Sequence, residues 1–105
     1  MLRSSDFRKV YDNGTRVPGP LFSAFCLSNS ASAGPRIGFT TPRALGKAVR
    51  RNRMRRRLRE AIRLQLASIA PVWDIVINPR KSMLDASWAQ IQSEVRKLVS
   101  RCGNL

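Results

Sequence analysis

Histidine is absent from this chain of 105 residues, acids number only six, and cysteine occurs twice. Without histidine, the commonest general base and metal ligand near neutral pH is missing. The four Asp and two Glu are scattered, and neither a Gly-rich phosphate loop nor a nucleophile elbow is present, so the residues offer no catalytic group and no metal site of their own. Cys26 and Cys102 are too few and too far apart in sequence to build a metal cluster. One lies in an apolar strand pattern and the other on the last turn of a helix, so both are expected as small buried hydrophobes with reduced thiols. No run approaches the roughly twenty apolar residues of a membrane span, and the N-terminus lacks a signal-peptide core. A cytoplasmic location is the expectation.

What is abundant is positive charge. Twenty Lys and Arg face six acids, a net charge of +14, and sixteen of the twenty are arginine. A small folded body carrying that excess repels itself, which points to a polyanionic partner. Arginine suits planar two-point contacts to phosphate and stacking on bases, so nucleic acid is favoured. An anionic membrane surface is the competing polyanion. It would call for a broad apolar helix face with Trp or Phe, which the arginine-rich segment lacks. With 43% hydrophobic residues the chain has enough apolar material for one modest core, and 1–105 is read as a single domain.

Ser4 to Gly14 reads as a short helix, with Ser4 or Ser5 as N-cap, Asp6 in the first turn and Gly14 as a left-handed stop. Leu21 to Leu27 is a strand candidate, with a short strand at Thr15–Val17 before it, and the Ser/Ala/Gly-rich stretch Ser28 to Pro35 is a loop. Arg36 to Thr41 reads as the next strand, and Pro42 to Gly46 as a connector that resists helix. A long helix is predicted from about Val49 to Ile69, ended by Pro71. Trp73 to Ile77 is a buried strand closed by Asn78-Pro79. Ser87 with Gln90 forms a capping box that opens a last helix placing Trp88, Ile91, Val95, Leu98, Val99 and Cys102 at helical spacing. Helix, strands, long helix, strand, helix gives an α+β domain with helices packed on a small sheet.

Eight arginines fall in the fourteen residues from Arg50 to Arg63. On a helical wheel Met54, Leu58, Ala61, Ile62 and Gln65 share the buried arc. Asn52, Arg53, Arg56, Arg59, Glu60 and Arg63 lie on the far side, Arg50, Arg55 and Arg57 on the flanks, and Arg51 near the helix start past the sheet edge. Like charges three and four apart destabilise a helix by a few tenths of a kcal/mol per pair, and Glu60 is the one acid in relief. Such a face fits an anion-binding surface better than an ordinary solvated one. Phe7 and Tyr11 share a face of the first helix, with Phe22 or Phe25 on the strand beneath. Strand residues three apart point to opposite sides, so only one of that pair can join them. Beside Arg8 and Lys9 such aromatics can stack unpaired bases, or they can simply be core.

The segment IGFTTPRALGKAVRRNRMRRRLREAIR, with SSDFRKVYDNGTRV before it and WDIVINPR after it, resembles the bacterial ribonuclease P protein family. Gly46-Lys47-Ala48-Val49, Arg51-Asn52-Arg53, Arg56 and Leu58-Arg59-Glu60-Ala61 match that family's RNR signature in order and spacing. The resemblance implies an α–β sandwich, a four-stranded sheet with three helices in the order αβββαβα, similar to the second domain of ribosomal protein S5. It implies a left-handed βαβ crossover through the arginine helix, against the usual right-handed rule. It also implies that an RNA subunit carries out hydrolysis with bound Mg²⁺. The protein, a monomer in a 1:1 ribonucleoprotein, would grip that RNA and the 5′ leader of precursor tRNA. Carried over by position, Arg43, Lys47, Arg51, Asn52, Arg53, Arg55, Arg56 and Arg59 would contact the RNA subunit, and Phe7, Arg8, Tyr11 and Phe25 would line a leader cleft. Pro42 and Ala44 stand where the family often has Ser and Lys, and Phe25 where Tyr is common. The alternatives are a noncatalytic structured-RNA binder using the same helix without a leader cleft, and a stand-alone nuclease, which the missing acid–base residues disfavour.

Overall fold

Alternation and helical spacing place the apolar residues of this chain on two faces of one sheet. The computed structural model describes residues 4–28, 35–40, 45–65 and 73–103. The order is α1 (Ser4–Asn13), β1 (Thr15–Val17), β2 (Phe22–Ser28), β3 (Arg36–Phe39), α2 (Ala48–Gln65), β4 (Trp73–Pro79), a 3₁₀ helix (Lys81–Asp85) and α3 (Trp88–Gly103). The sheet runs β1-β2-β4-β3, with β1–β2 and β2–β4 antiparallel and β3–β4 parallel. Phe22, Ala24 and Cys26 of β2 and Ile75 and Ile77 of β4 face α2 and α3, where they meet Met54, Leu58, Ile62, Ile91, Val95 and Leu98 in the main core. The alternate residues face α1: Val76 packs with Val10, bordered by Phe7, Phe25 and Leu27.

The hand of the β3–α2–β4 crossover follows from one hydrogen bond. The Thr40 amide donates to the Ile77 carbonyl at 3.0 Å, so that carbonyl points toward β3. Ile77 also turns its side chain to α2. Viewed from the α2 side with β4 running upward, an L-residue whose side chain faces the viewer directs its carbonyl to the right. β3 therefore lies to the right of β4, the chain passes leftward in front of the sheet, and the crossover is left-handed. This agrees with what the resemblance implies and departs from the general rule.

Several local expectations need correction. β4 continues through Asn78 and Pro79, paired with Ser23 and Phe22. Proline is tolerated there because its missing N–H would point toward β3, whose ladder has already ended. Ser28 is the last residue of β2, paired with Trp73, rather than the start of a loop. β3 ends at Phe39, before the predicted Thr40 and Thr41, and the remaining loop residues 29–34, Thr41, the connector residues 42–44 and the predicted helix end at 66–71 lie outside the described residues. Lys81–Asp85, which carries no helical periodicity, forms a 3₁₀ turn that buries Met83. Gly14 is not in a left-handed conformation; glycine is required by space, since a Cβ would overlap the Val10 carbonyl oxygen and lie 3.0 Å from the Cys26 carbonyl oxygen. The capping box forms both of its arms: the Ser87 amide donates to Gln90 Oε1 at 2.8 Å and the Gln90 amide to Ser87 Oγ at 3.1 Å. Cys26 and Cys102 are buried free thiols whose sulfurs lie 3.0 Å apart.

Candidate nucleic-acid interface

Met54, Leu58, Ala61 and Ile62 bury one stripe of α2, as the four, three and one spacing requires. Most of the rest of the helix carries charge, although Val49 and Leu64 are exposed apolar residues, and six of its eight arginines fall into two groups. Arg50 pairs with Asp85 of the 3₁₀ turn at 3.0 Å, Arg57 donates to the Ala86 carbonyl at 2.7 Å, and Arg63 makes a two-point pair with Glu60 at 2.9 and 2.6 Å. That pair holds the Glu60 carboxyl below its usual range, through the Arg63 hydrogen bonds first. Arg53, Arg56 and Arg59 are exposed and have no ion-pair or hydrogen-bond partner among the described residues. Lys47 is likewise exposed at the helix start, and Asn52 is exposed, accepting from Arg55 Nη2 at 3.3 Å. Arg51 and Arg55 are half-buried. Arg43 lies outside the described residues.

Every one of the six acids forms an ion pair within 4 Å: Asp6 and Asp74 with Arg36, Asp12 with Arg8, Asp85 with Arg50, Glu60 with Arg63 and Glu94 with Lys97. Arg53, Arg56 and Arg59 on the far side of α2 thus carry part of the +14 that no acid of the chain offsets. The same pairing leaves no carboxylate cluster for Mg²⁺, and among the described residues no group of three His, Cys, Asp or Glu could hold a metal ion.

The second constellation lies on the opposite face of the sheet. Phe7 is half-buried against Val10 and Val76, while Tyr11, one turn on, is 36% exposed and meets Phe25 edge-on with ring centroids 4.9 Å apart and planes at 82°. The choice between Phe22 and Phe25 is settled by the pleat: Phe22 is in the main core, and Phe25 faces α1. The Tyr11 hydroxyl donates to Asn78 Oδ1 at 2.7 Å, and the Thr40 hydroxyl donates to the same oxygen at 2.7 Å. Arg16, opposite Phe25 in the β1–β2 register, is exposed on this side. Arg8 is exposed and sits 3.8 Å from Asp12.

Arg36 fixes the far end of α1. It donates to both oxygens of Asp74 at 2.9 and 2.7 Å and lies 3.5 Å from Asp6, tying the first helical turn to the edge of the sheet. Those bonds, with Asp74 foremost, raise the Arg36 pKa further. Sequence reasoning missed Arg16, Arg36, Thr40 and Asn78. The signal for Arg16 was present, since alternation against the buried Val17 puts it outward. Asn78 was hidden by reading Asn78-Pro79 as the end of the strand.

A family profile described as Ribonuclease P matches residues 1–103. The chain is 37% identical to the ribonuclease P protein component of Clostridioides difficile strain 630 over 102 residues, 96% of this chain and 89% of that protein. It belongs to the bacterial ribonuclease P protein family. Solved structures agree. A Staphylococcus aureus RNase P protein mutant superimposes with a TM-score of 0.88 at 25% identity, covering 98% of this chain and 86% of that one. The Thermotoga maritima RNase P protein gives 0.85 at 28% identity, covering 95% and 94%. As a ribonuclease P protein, the chain is a component of an endoribonuclease complex that acts in tRNA 5′ processing. Among its described residues no helix is long and apolar enough to cross a membrane.

Proposed function

We propose that this ribonuclease P protein works as a two-sided RNA clamp in the cytoplasm, one copy per RNA subunit. Arg43, Lys47, Arg51, Asn52, Arg53, Arg55, Arg56 and Arg59 grip the catalytic RNA, and the aromatic face under α1 holds the single-stranded 5′ leader of precursor tRNA. The observation that carries the reading is the set of unpaired, exposed guanidiniums of Arg53, Arg56 and Arg59 on a chain whose acids are all internally paired. Guanidiniums that cannot be neutralised from within gain most from phosphate, through charge-assisted bonds and counterion release. The chain's own residues bind and orient; hydrolysis belongs to the RNA subunit with its Mg²⁺. Tyr11 and Phe25 offer ring faces and edges on which unstacked bases rest, at roughly 1–3 kcal/mol per base.

The test is reconstitution with the cognate RNA subunit at low magnesium. Addition of the protein should accelerate cleavage of a precursor bearing a leader, and the affinity gain should grow with leader length up to the span of the cleft. A gain independent of leader length would favour the structured-RNA binder without a leader site. Cleavage by the protein alone would overturn the division of labour.

A further inference from the structure

Asn78 stands where the aromatic face ends, and its hydrogen bonding is asymmetric. Its Oδ1 accepts from two hydroxyls, Tyr11 and Thr40, both at 2.7 Å. A carbonyl oxygen has two lone pairs, so its acceptor capacity is filled from within the protein. Its Nδ2 carries two N–H donors and has no acceptor among the described residues, although the residue is only half-buried and solvent reaches it. The two hydroxyls spend their protons on Asn78. The polar edge beside the Tyr11–Phe25 pair is therefore set in one polarity, with an amide donor outward.

We infer that Asn78 is a specificity-determining residue of the leader cleft, donating from Nδ2 to an oxygen acceptor of the single-stranded leader while its Oδ1 fixes the Tyr11 ring for stacking. This rests on the leader reading above. An asparagine that reads adenine must accept from N6 and donate to N7 together. Asn78 cannot do both, because its oxygen is occupied. The ligand chemistry it fits is an acceptor oxygen: a base carbonyl, as in uracil or guanine, or a backbone phosphate.

Asn78→Asp separates the two roles, since a carboxylate still accepts from Tyr11 and Thr40 but has no amide to donate. The measurement is the ratio of holoenzyme affinities for precursor with a five-nucleotide leader and for the same tRNA without one. In the wild-type holoenzyme this ratio should exceed unity, and Asn78→Asp should lower it about tenfold, with affinity for leaderless tRNA unchanged. The loss should persist as salt is raised, whereas a purely Coulombic loss would fade. A ratio unchanged in Asn78→Asp overturns the inference and leaves the leader reading standing. A wild-type ratio of one removes the leader reading itself.

A second measurement alters the leader instead of the protein, so its wild-type arm is independent of how the variant folds. Leader nucleotides are made abasic, or their phosphates replaced by methylphosphonate, one position at a time. One position should cost the wild type the factor seen in Asn78→Asp and cost that variant nothing further. Its appearance in the abasic series assigns a base carbonyl, and in the methylphosphonate series a phosphate. If no position behaves so, the donor role is wrong.

Discussion

Replacing Arg53, Arg56 and Arg59 together with glutamine removes the three arginines of α2 that are exposed and have no internal partner among the described residues. If each neutralises one phosphate, the slope of log affinity for the RNA subunit against log salt should fall by about 0.7–0.9 per arginine, or roughly 2 to 3 for the three. Over a tenfold rise in salt, the wild type should then lose about 100- to 1,000-fold more affinity than the variant. Stability should move the other way. Arg53 and Arg56, and Arg56 and Arg59, are like-charged pairs three apart, so their removal should leave the helix unchanged or stabilise it by a few tenths of a kcal/mol per pair. Glutamine has nearly the helix propensity of arginine. The control is Arg50→Gln with Arg63→Gln, whose charges already face Asp85 and Glu60. That pair should change the slope much less. The assay is fluorescence anisotropy of labelled RNA subunit over a KCl series, with circular dichroism melting alongside. A triple variant with the wild-type slope, or a control that loses as much, would refute the assignment of unpaired arginines to the RNA.

Three further outcomes follow from the packing. Asp74→Asn should lower stability by about 2–3 kcal/mol in urea titration, short of the ~3–5 for a wholly buried pair because Arg36 is 32% exposed. It should also loosen α1, seen as faster amide exchange at its first turn. Gly14→Ala should cost about 1–3 kcal/mol by thermal melting, because its Cβ would collide with the Val10 carbonyl oxygen; a neutral result would show that α1 can shift away from β2. The Cys26 thiol is raised well above the ordinary thiol value of about 9.0 by its bond with Cys102 and by burial. The folded chain therefore keeps a proton that the unfolded chain gives up. Cys102, which accepts that bond, is shifted the other way, so the pair's contribution rises with pH toward about 9.0 and declines above it, where Cys26 alone still holds its proton. From about pH 9 to 10, just above the ordinary thiol pKa, the urea midpoint should fall more steeply in the wild type than in Cys26→Ala/Cys102→Ala; equal slopes would remove the thiol pair as the cause.

The order of helices and strands, the α2 stripe of Met54, Leu58, Ala61 and Ile62, and the Ser87–Gln90 cap were legible because each is a local pattern with its own period or spacing. The aromatic face was half legible. Alternation excluded one of Phe22 and Phe25, and the resemblance chose between them. Three-dimensional placement alone decided the rest. That Arg50 and Arg57 are spent internally depends on Asp85 and Ala86, some thirty residues away in sequence, and no helical wheel contains them. Asn78 joined the site only because β4 runs two residues past the apolar run, and β3 could pair with it only in parallel. The left hand of the crossover is a global property. Local sequence determines which face of a strand is apolar, but the side on which a helix must return depends on how two distant strands share hydrogen bonds.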